Sequence, residues 1–229
     1  QTVTDAAAYT DALRKAVHAA ASGDIVILGI TPDRPETGFG YIRTAAADAE
    51  GVRNVGAFVE KPNLETAKTY VADGGYFWNS GMFVMRASRW LAALAYFRRD
   101  IADTTRASFE VRTTDAQFVR PGKDAFQAVP SESVDYAVME QCPAQPGCGF
   151  NVRMVPLDAG WSDLGAWDAV WQVSAQDADG NVRQGDAMIE DSHNTLVHAT
   201  SRLVAAVGLD NVVVVETPDA VLVADRSKS

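Results

Sequence analysis

Glu60 and Lys61 close an apolar run, Val55-Gly56-Ala57-Phe58-Val59, and Pro62 follows them. The run reads as a strand that the proline prevents from continuing. A carboxylate and an ammonium are thereby held at a strand's carboxyl end, where open α/β sheets bind ligands. Glu60 is suited to accept from two neighbouring hydroxyls, and Lys61 is a point charge suited to a phosphate. Asn79, in Phe77-Trp78-Asn79-Ser80-Gly81-Met82-Phe83, can both donate to and accept from a hydroxyl. Gly38 and Gly40, in Glu36-Thr37-Gly38-Phe39-Gly40-Tyr41, suit a backbone that approaches a bound group closely. Asp163, in Gly160-Trp161-Ser162-Asp163-Leu164-Gly165, is a hard oxygen ligand of the kind Mg²⁺ takes, with water and substrate phosphates filling its other positions.

Each of these residues has a purely structural alternative. Glu60 and Lys61 also read as a solvated charge pair, and Gly38 and Gly40 as a plain turn. Asp163 also reads as the N-cap of the helix after it, and Asp135 as a first-turn residue that complements a helix dipole. The case for a site rests on their occurrence together.

The elements that must position them follow from periodicity and punctuation. Thr4 or Asp5 caps a helix over about residues 6–22, which leads into a buried parallel strand, Ile25 to Ile30. Two prolines keep residues 31–36 irregular, a strand covers residues 52–59, and Asn63 caps a helix over 64–72 that Gly74-Gly75 ends. Asn79-Ser80-Gly81 reads as a turn before a core strand, Met82 to Met85. Ser88 then caps a helix whose Trp90, Leu91, Leu94 and Phe97 fall at helical spacing and belong to the core. Helical stretches follow over about 100–111, 125–129 and 130–140, then a strand over 152–157 and a helix over 164–173 capped by Ser162 or Asp163. With these exits, the glycine pair, the Glu-Lys pair, the Asn-Ser-Gly turn and Asp163 fall on one edge of one sheet. After Asp177-Ala178-Asp179-Gly180-Asn181, short apolar segments at 187–189, 195–197, 203–207, 212–215 and 220–224 read as an all-β module. The expected domains are residues 1–177 and 178–229.

Composition sets outer bounds. The 229 residues are 47% hydrophobic and 22% charged, as in a folded globular protein. Thirty acidic against 20 basic residues give a net charge of −10, which argues against nucleic acid or an anionic membrane as partner and requires local cations for an anionic substrate. No apolar run has the length of a membrane span and no secretory signal is visible, so the expected compartment is the cytoplasm. Cys142 and Cys148, in a Pro/Gly-rich loop, are too few for a zinc site; they read as unlinked thiols, with a local disulfide as the alternative.

The series Glu-Thr-Gly-Phe-Gly-Tyr-Ile (36–42), Val-Glu-Lys-Pro (59–62), Trp-Asn-Ser-Gly-Met-Phe (78–83), Ser-Val-Asp-Tyr-Ala-Val-Met-Glu (133–140) and Gly-Trp-Ser-Asp-Leu-Gly-Ala-Trp (160–167) resembles the sugar-phosphate nucleotidyltransferases, most closely the mannose-1-phosphate guanylyltransferases. The resemblance implies a Rossmann-like α/β domain with a mixed, mostly parallel sheet and helices on both faces, incomplete at its N-terminus, plus a small C-terminal β-helix-like module. It implies transfer of GMP from GTP to mannose 1-phosphate, giving GDP-mannose and pyrophosphate with Mg²⁺. It makes Gly40 a backbone contact to the sugar, Glu60 and Asn79 hydroxyl ligands, Lys61 a sugar-phosphate contact and Asp163 the metal ligand, with Gly38 and Asp135 as further substrate-binding candidates. The family's Gly-Gly-x-Gly-x-Arg-Leu-x-Pro-Leu loop is not among these residues. The expectation is therefore a sugar-side half-site, inactive by itself, in a homodimer formed through the β module. A uridylyl, thymidylyl or adenylyl transferase, or a noncatalytic sugar-nucleotide-binding subunit, are the alternatives.

Overall fold

A computed structural model describes residues 1–229 as two compact units, residues 5–159 and residues 1–4 with 160–229. The first unit opens with α1 (Ala6–Ala21), capped by the Asp5 carboxylate, which accepts from the amides of Ala7 and Ala8, and seated through Ala12, Ala16 and Ala20. It continues through β1 (Ile25–Ile30), β2 (Tyr41–Ala47), β3 (Arg53–Val59), α2 (Leu64–Asp73), β4 (Tyr76–Val84), α3 (Ala87–Phe97) and α4 (Arg99–Glu110). A small hairpin of β5 (Thr113–Asp115) and β6 (Phe118–Arg120) follows, then α5 (Lys123–Gln127), a π-helical turn (Asp135–Met139), α6 (Gln141–Ala144) and β7 (Val152–Pro156).

Strands β1, β4, β2, β3 and β7 close in that order into a barrel. The sheet is mixed, as expected, but its ladders are mostly antiparallel: β1 with β7 is parallel, while β1–β4, β2–β4, β2–β3 and β3–β7 are antiparallel. The cause is local for β2 and β3. Asp48 accepts from the amides of Glu50 and Val52 and turns the chain tightly back, a connection open only to antiparallel neighbours. Ile25, Ile27, Ile42, Phe58 and Met154 from the barrel pack with Leu94, Val138 and Met139 in one core, so the π-turn is embedded in the interior.

Several expectations require correction. Asn79-Ser80-Gly81 is not a turn but a bulge inside β4, where the ladder with β1 jumps from Ile27–Phe83 to Gly29–Asn79. Gly81 takes a φ of +71°, its amide donates to Asn79 Oδ1 at 2.9 Å, and the Ser80 hydroxyl donates to the Leu28 carbonyl at 2.6 Å. Turn-type residues thus satisfy a bulge within a continuing strand. Ser88 lies inside α3, whose N-terminus has no side-chain cap. The helix expected over 130–140 is confined to the π-turn, and the cysteine loop contains α6, with Cys142 buried, Cys148 half-buried and both thiols free.

In the second unit, α7 (Trp167–Val173) starts after an irregular stretch that includes Leu164 at a φ of +53°; Ala166 holds the N-cap position without a side-chain bond. Asp163 is therefore not a helix cap. Strands β8 (Val182–Glu190), β9 (Leu196–Val207) and β10 (Val212–Glu216) run parallel, and β11 (Val221–Asp225) adds antiparallel at the edge. The segments expected at 195–197 and 203–207 form the single strand β9. Between them, the amides of Thr200, Ser201 and Arg202 donate to the Glu216 carboxylate at 3.1, 2.9 and 3.3 Å, so polar residues that read as a break are held extended. Trp167, Val170 and Trp171 pack on Val182, Leu196, Val213 and Val215. That packing joins α7 to this sheet, so the units divide at 159/160, whereas the sequence reading divides the chain at 177/178. No helix is long and apolar enough to cross a membrane.

Candidate functional site

The barrel ladder that pairs Val59 with Tyr41 and Tyr41 with Trp78 brings the residues next in chain to those positions side by side. Glu60 leaves β3, Gly40 enters β2 and Asn79 follows Trp78 in β4, where its amide donates to the Gly40 carbonyl at 2.8 Å. The floor beneath this row is aromatic. Tyr41 and Trp78 are buried, the half-buried Phe39, Tyr70 and Tyr76 pack against them, and Phe39 meets Trp78 edge-on at 5.2 Å. The Arg34 guanidinium lies 5.2 Å above the Trp78 ring and 3.6 Å from Glu36, ordering the loop that delivers Gly40.

Glu60 is the centre of the site. Its side chain is only 9% exposed, and Oε1 is 3.3 Å from Lys61 Nζ, while Oε2 is buried without a hydrogen-bond partner. A buried carboxylate oxygen left in this state lacks the donors that water would give it, and a ligand hydroxyl is a group that restores one. Burial first, and then the nearby Asp135, push the Glu60 pKa up, with Lys61 opposing. Burial likewise raises that of Asp135, against its own backbone amide and Asn79. Gly40 has no room for a side chain, since a Cβ there would stand 2.5 Å from Glu60 Oε2 and 3.2 Å from Phe58 Cζ. Lys61, 60% exposed and at a φ of +47°, holds the positive charge at the rim.

Asn79 is held on both sides: Oδ1 accepts from Gly81, and Nδ2 donates to Asp135 Oδ1 at 3.1 Å. One amide hydrogen and a carbonyl lone pair remain for a ligand. The structure thus brings Gly40, Glu60, Lys61, Asn79 and Asp135 together. Gly38 is placed differently, because its amide already donates to Glu36 Oε1 at 2.9 Å and so closes the loop. Asp163 belongs to the other compact unit, and its half-buried carboxylate folds over Gly165, where a Cβ would strike Oδ2. Sequence reasoning missed Glu140, whose Oε1 accepts from the Glu60 amide at 2.8 Å across 80 positions of chain.

No group of three His, Cys, Asp or Glu side chains is disposed to hold a metal ion. A lone carboxylate such as Asp163 fits a hard divalent cation that arrives with nucleotide phosphates and keeps several waters.

Comparison with known proteins identifies the family of the chain. Residues 2–180 match the family model described as nucleotidyl transferase, and residues 185–229 match the MannoseP isomerase/GMP-like beta-helix domain. Over 229 aligned residues the chain is 46% identical to the alginate biosynthesis protein AlgA of Pseudomonas aeruginosa and 47% identical to a mannose-1-phosphate guanylyltransferase of Escherichia coli K12. Those alignments take in 99% and 98% of this chain and 46% of each relative. The chain spans about half the length of the curated relatives it matches. A crystal structure from Thermus thermophilus, titled a mannose-1-phosphate geranyltransferase, superposes with a TM-score of 0.82 at 30% identity, over 99% of this chain and 63% of that one. Nucleotidyltransferases generally use a divalent metal. With the nucleotidyl transferase model matching most of its length, this chain belongs to the nucleotidyl transferase family.

Proposed function

We propose that this chain carries the sugar-phosphate side of a mannose-1-phosphate guanylyltransferase, which joins mannose 1-phosphate to GTP and releases GDP-mannose and pyrophosphate in the cytoplasm. The observation that carries the reading is the buried, unpartnered Glu60 Oε2 beside Gly40 and Asn79, with Lys61 at the rim. In this reading Glu60 accepts from two sugar hydroxyls, Asn79 binds a third, the Gly40 backbone borders the ring and Lys61 receives the phosphate. A phosphate oxygen of the sugar attacks the α-phosphorus of GTP in line, and the bond to the pyrophosphate oxygen breaks. Positioning and charge neutralisation carry such a reaction, and no covalent enzyme intermediate is required. Asp163 would hold Mg²⁺, which supplies charge neutralisation at the transferring phosphates when bound. Asp135 acts through Asn79. The exposed apolar residues of the edge strand β11 favour a homodimer formed through the C-terminal sheet.

Calorimetric titration tests the reading, with mannose 1-phosphate against mannose and inorganic phosphate as separate probes. The expected result is tightest binding for mannose 1-phosphate, weakened roughly tenfold or more by Glu60→Ala, the loss of a hydrogen bond to a charged group. Absence of binding, or binding indifferent to Glu60, overturns it.

A further inference from the structure

Asp135 opens the π-turn and Glu140 follows its last residue. At 3.6 residues per turn, an α-helix would set two residues at this spacing about 140° apart, on different faces. Here the Glu140 amide donates to the Asp135 carbonyl at 2.9 Å, the i→i+5 bond of a π-turn, and the wider turn brings the two residues onto one face. Their carboxylates then reach neighbouring partners: Asp135 Oδ1 takes Asn79 Nδ2 and Glu140 Oε1 takes the Glu60 amide. The residues between them include Ala137, Val138 and Met139, all buried, so the turn is fixed against the barrel. Glu60 lies beyond the end of β3, and the next residue, Lys61, has a left-handed φ of +47°. A non-glycine residue keeps that conformation only where its surroundings enforce it.

We propose that the π-turn is the positioning element of the sugar site, with Glu140 fixing the Glu60–Lys61 corner while Asp135 fixes the Asn79 amide. A single rigid turn sets the hydroxyl-binding side chains of two different strands relative to each other. Glu140 is a positioning residue, since it acts through the Glu60 backbone and leaves Glu60 Oε2 free for ligand. The ligand in this inference rests on the reading above; the hydrogen bonds do not.

The test compares Glu140→Met, which fills the same space without an acceptor, with Glu140→Gln, which keeps Oε1. Two readouts are taken: amide hydrogen exchange at Glu60 without ligand, and affinity for mannose 1-phosphate. In Glu140→Met the Glu60 amide should exchange roughly tenfold faster or more and mannose 1-phosphate should bind roughly tenfold more weakly, with the protein still folded and its melting temperature lowered by only a few degrees. Glu140→Gln should restore both to within about threefold. Native-like Glu60 exchange in Glu140→Met overturns the proposal, and so does native-like affinity in that variant. If the unaltered protein ignores mannose 1-phosphate while the exchange pattern holds, the ligand assignment falls and the positioning role stands. Glu140→Ala gives the same readings should Glu140→Met not fold.

Discussion

Replacing Gly40 by alanine adds one methyl group at the tightest point of the site. Its Cβ would stand 2.5 Å from Glu60 Oε2, where ordinary contact begins at 3.4 Å, so the oxygen must give way by about 0.9 Å. The methyl cannot retreat, because Phe58 Cζ and Asn79 Cβ lie at 3.2 and 3.4 Å behind it. Glu60 is also confined: its side chain is buried, its amide is held by Glu140 and Oε1 faces Lys61. The backbone at Gly40 has no positive φ, so alanine gains about 0.4–1 kcal/mol through the unfolded chain, against about 1–3 kcal/mol for overpacking. The net loss of stability is roughly 0–2.5 kcal/mol, and most molecules stay folded. Binding suffers more. Turning the carboxylate away removes at least one charged hydrogen bond to the sugar, about 1.5–3 kcal/mol, or roughly 10- to 150-fold in Kd.

The assay pairs urea unfolding with calorimetric titration of mannose 1-phosphate. Gly38→Ala is the matched control, since its Cβ meets only the flexible Glu36 carboxylate at 3.3 Å and should leave affinity within about twofold. Native-like affinity in Gly40→Ala, with Glu60→Ala impaired, would refute the claim that this close approach sets the carboxylate. Equal losses in both glycine variants would instead return Gly38 to the set of direct contacts.

Three further outcomes are expected. In a protein that also carries the glycine-rich phosphate loop, Asp163→Asn should leave the melting temperature unchanged, since Asp163 caps no helix, while weakening the divalent-metal dependence of nucleotidyl transfer; an unaltered Mg²⁺ requirement rules out the ligand role. Ser201 and the amides beside it hold the Glu216 pKa down at about 2, so this carboxylate contributes stability above the ordinary value of 4.5 and loses it as pH falls toward 2. Glu216→Gln should accordingly melt lower than the native protein at pH 7, with the gap closing between pH 4.5 and 2, and a gap independent of pH refutes the assignment. Val221 and Val223 are 60% and 65% exposed on edge strand β11, so Val221→Lys with Val223→Lys should convert a dimer to monomers in light scattering; a monomeric native protein sinks that interface.

How far the sequence could be read depended on how local the determining interactions are. Asp5, Asn63 and Gly74 announce helix ends through bonds or backbone angles within a few residues, and all three hold those positions. Glu60 and Lys61 lie where Pro62 and the preceding apolar run put them, at the exit of β3. Asn79 was legible by type but not by setting, because a polar Asn-Ser-Gly stretch satisfies a turn and a bulge equally well, and only the ladder with β1 decides. Asp163 misled for the same reason: a good cap residue stands before a helix that begins later than its apolar pattern does. Glu140 was invisible, since an α-helical count puts it and Asp135 on different faces. Glu216 required knowledge that the Thr200 and Ser201 amides of β9 face it, information spread over the C-terminal sheet.

If the barrel site binds the proposed ligand, its distribution of charge orders that ligand as well. In the interior lie Glu60 and Asp135, both pushed toward the neutral form by burial, and each is raised further by neighbouring acid. A phosphate at that depth would meet two carboxylates in a poorly solvated setting, where repulsion between like charges is strongest. Hydroxyl groups bring donors and no charge, and they return to Glu60 the hydrogen bonds that burial removed. The positive charge of Lys61 is at the rim, where solvent screens it but a phosphate can reach it without desolvation. Under the proposed function a sugar phosphate would therefore have one favourable orientation, hydroxyls inward and phosphate outward. That orientation leaves the phosphate oxygens accessible to a second substrate, which a nucleotidyl transfer requires of its nucleophile.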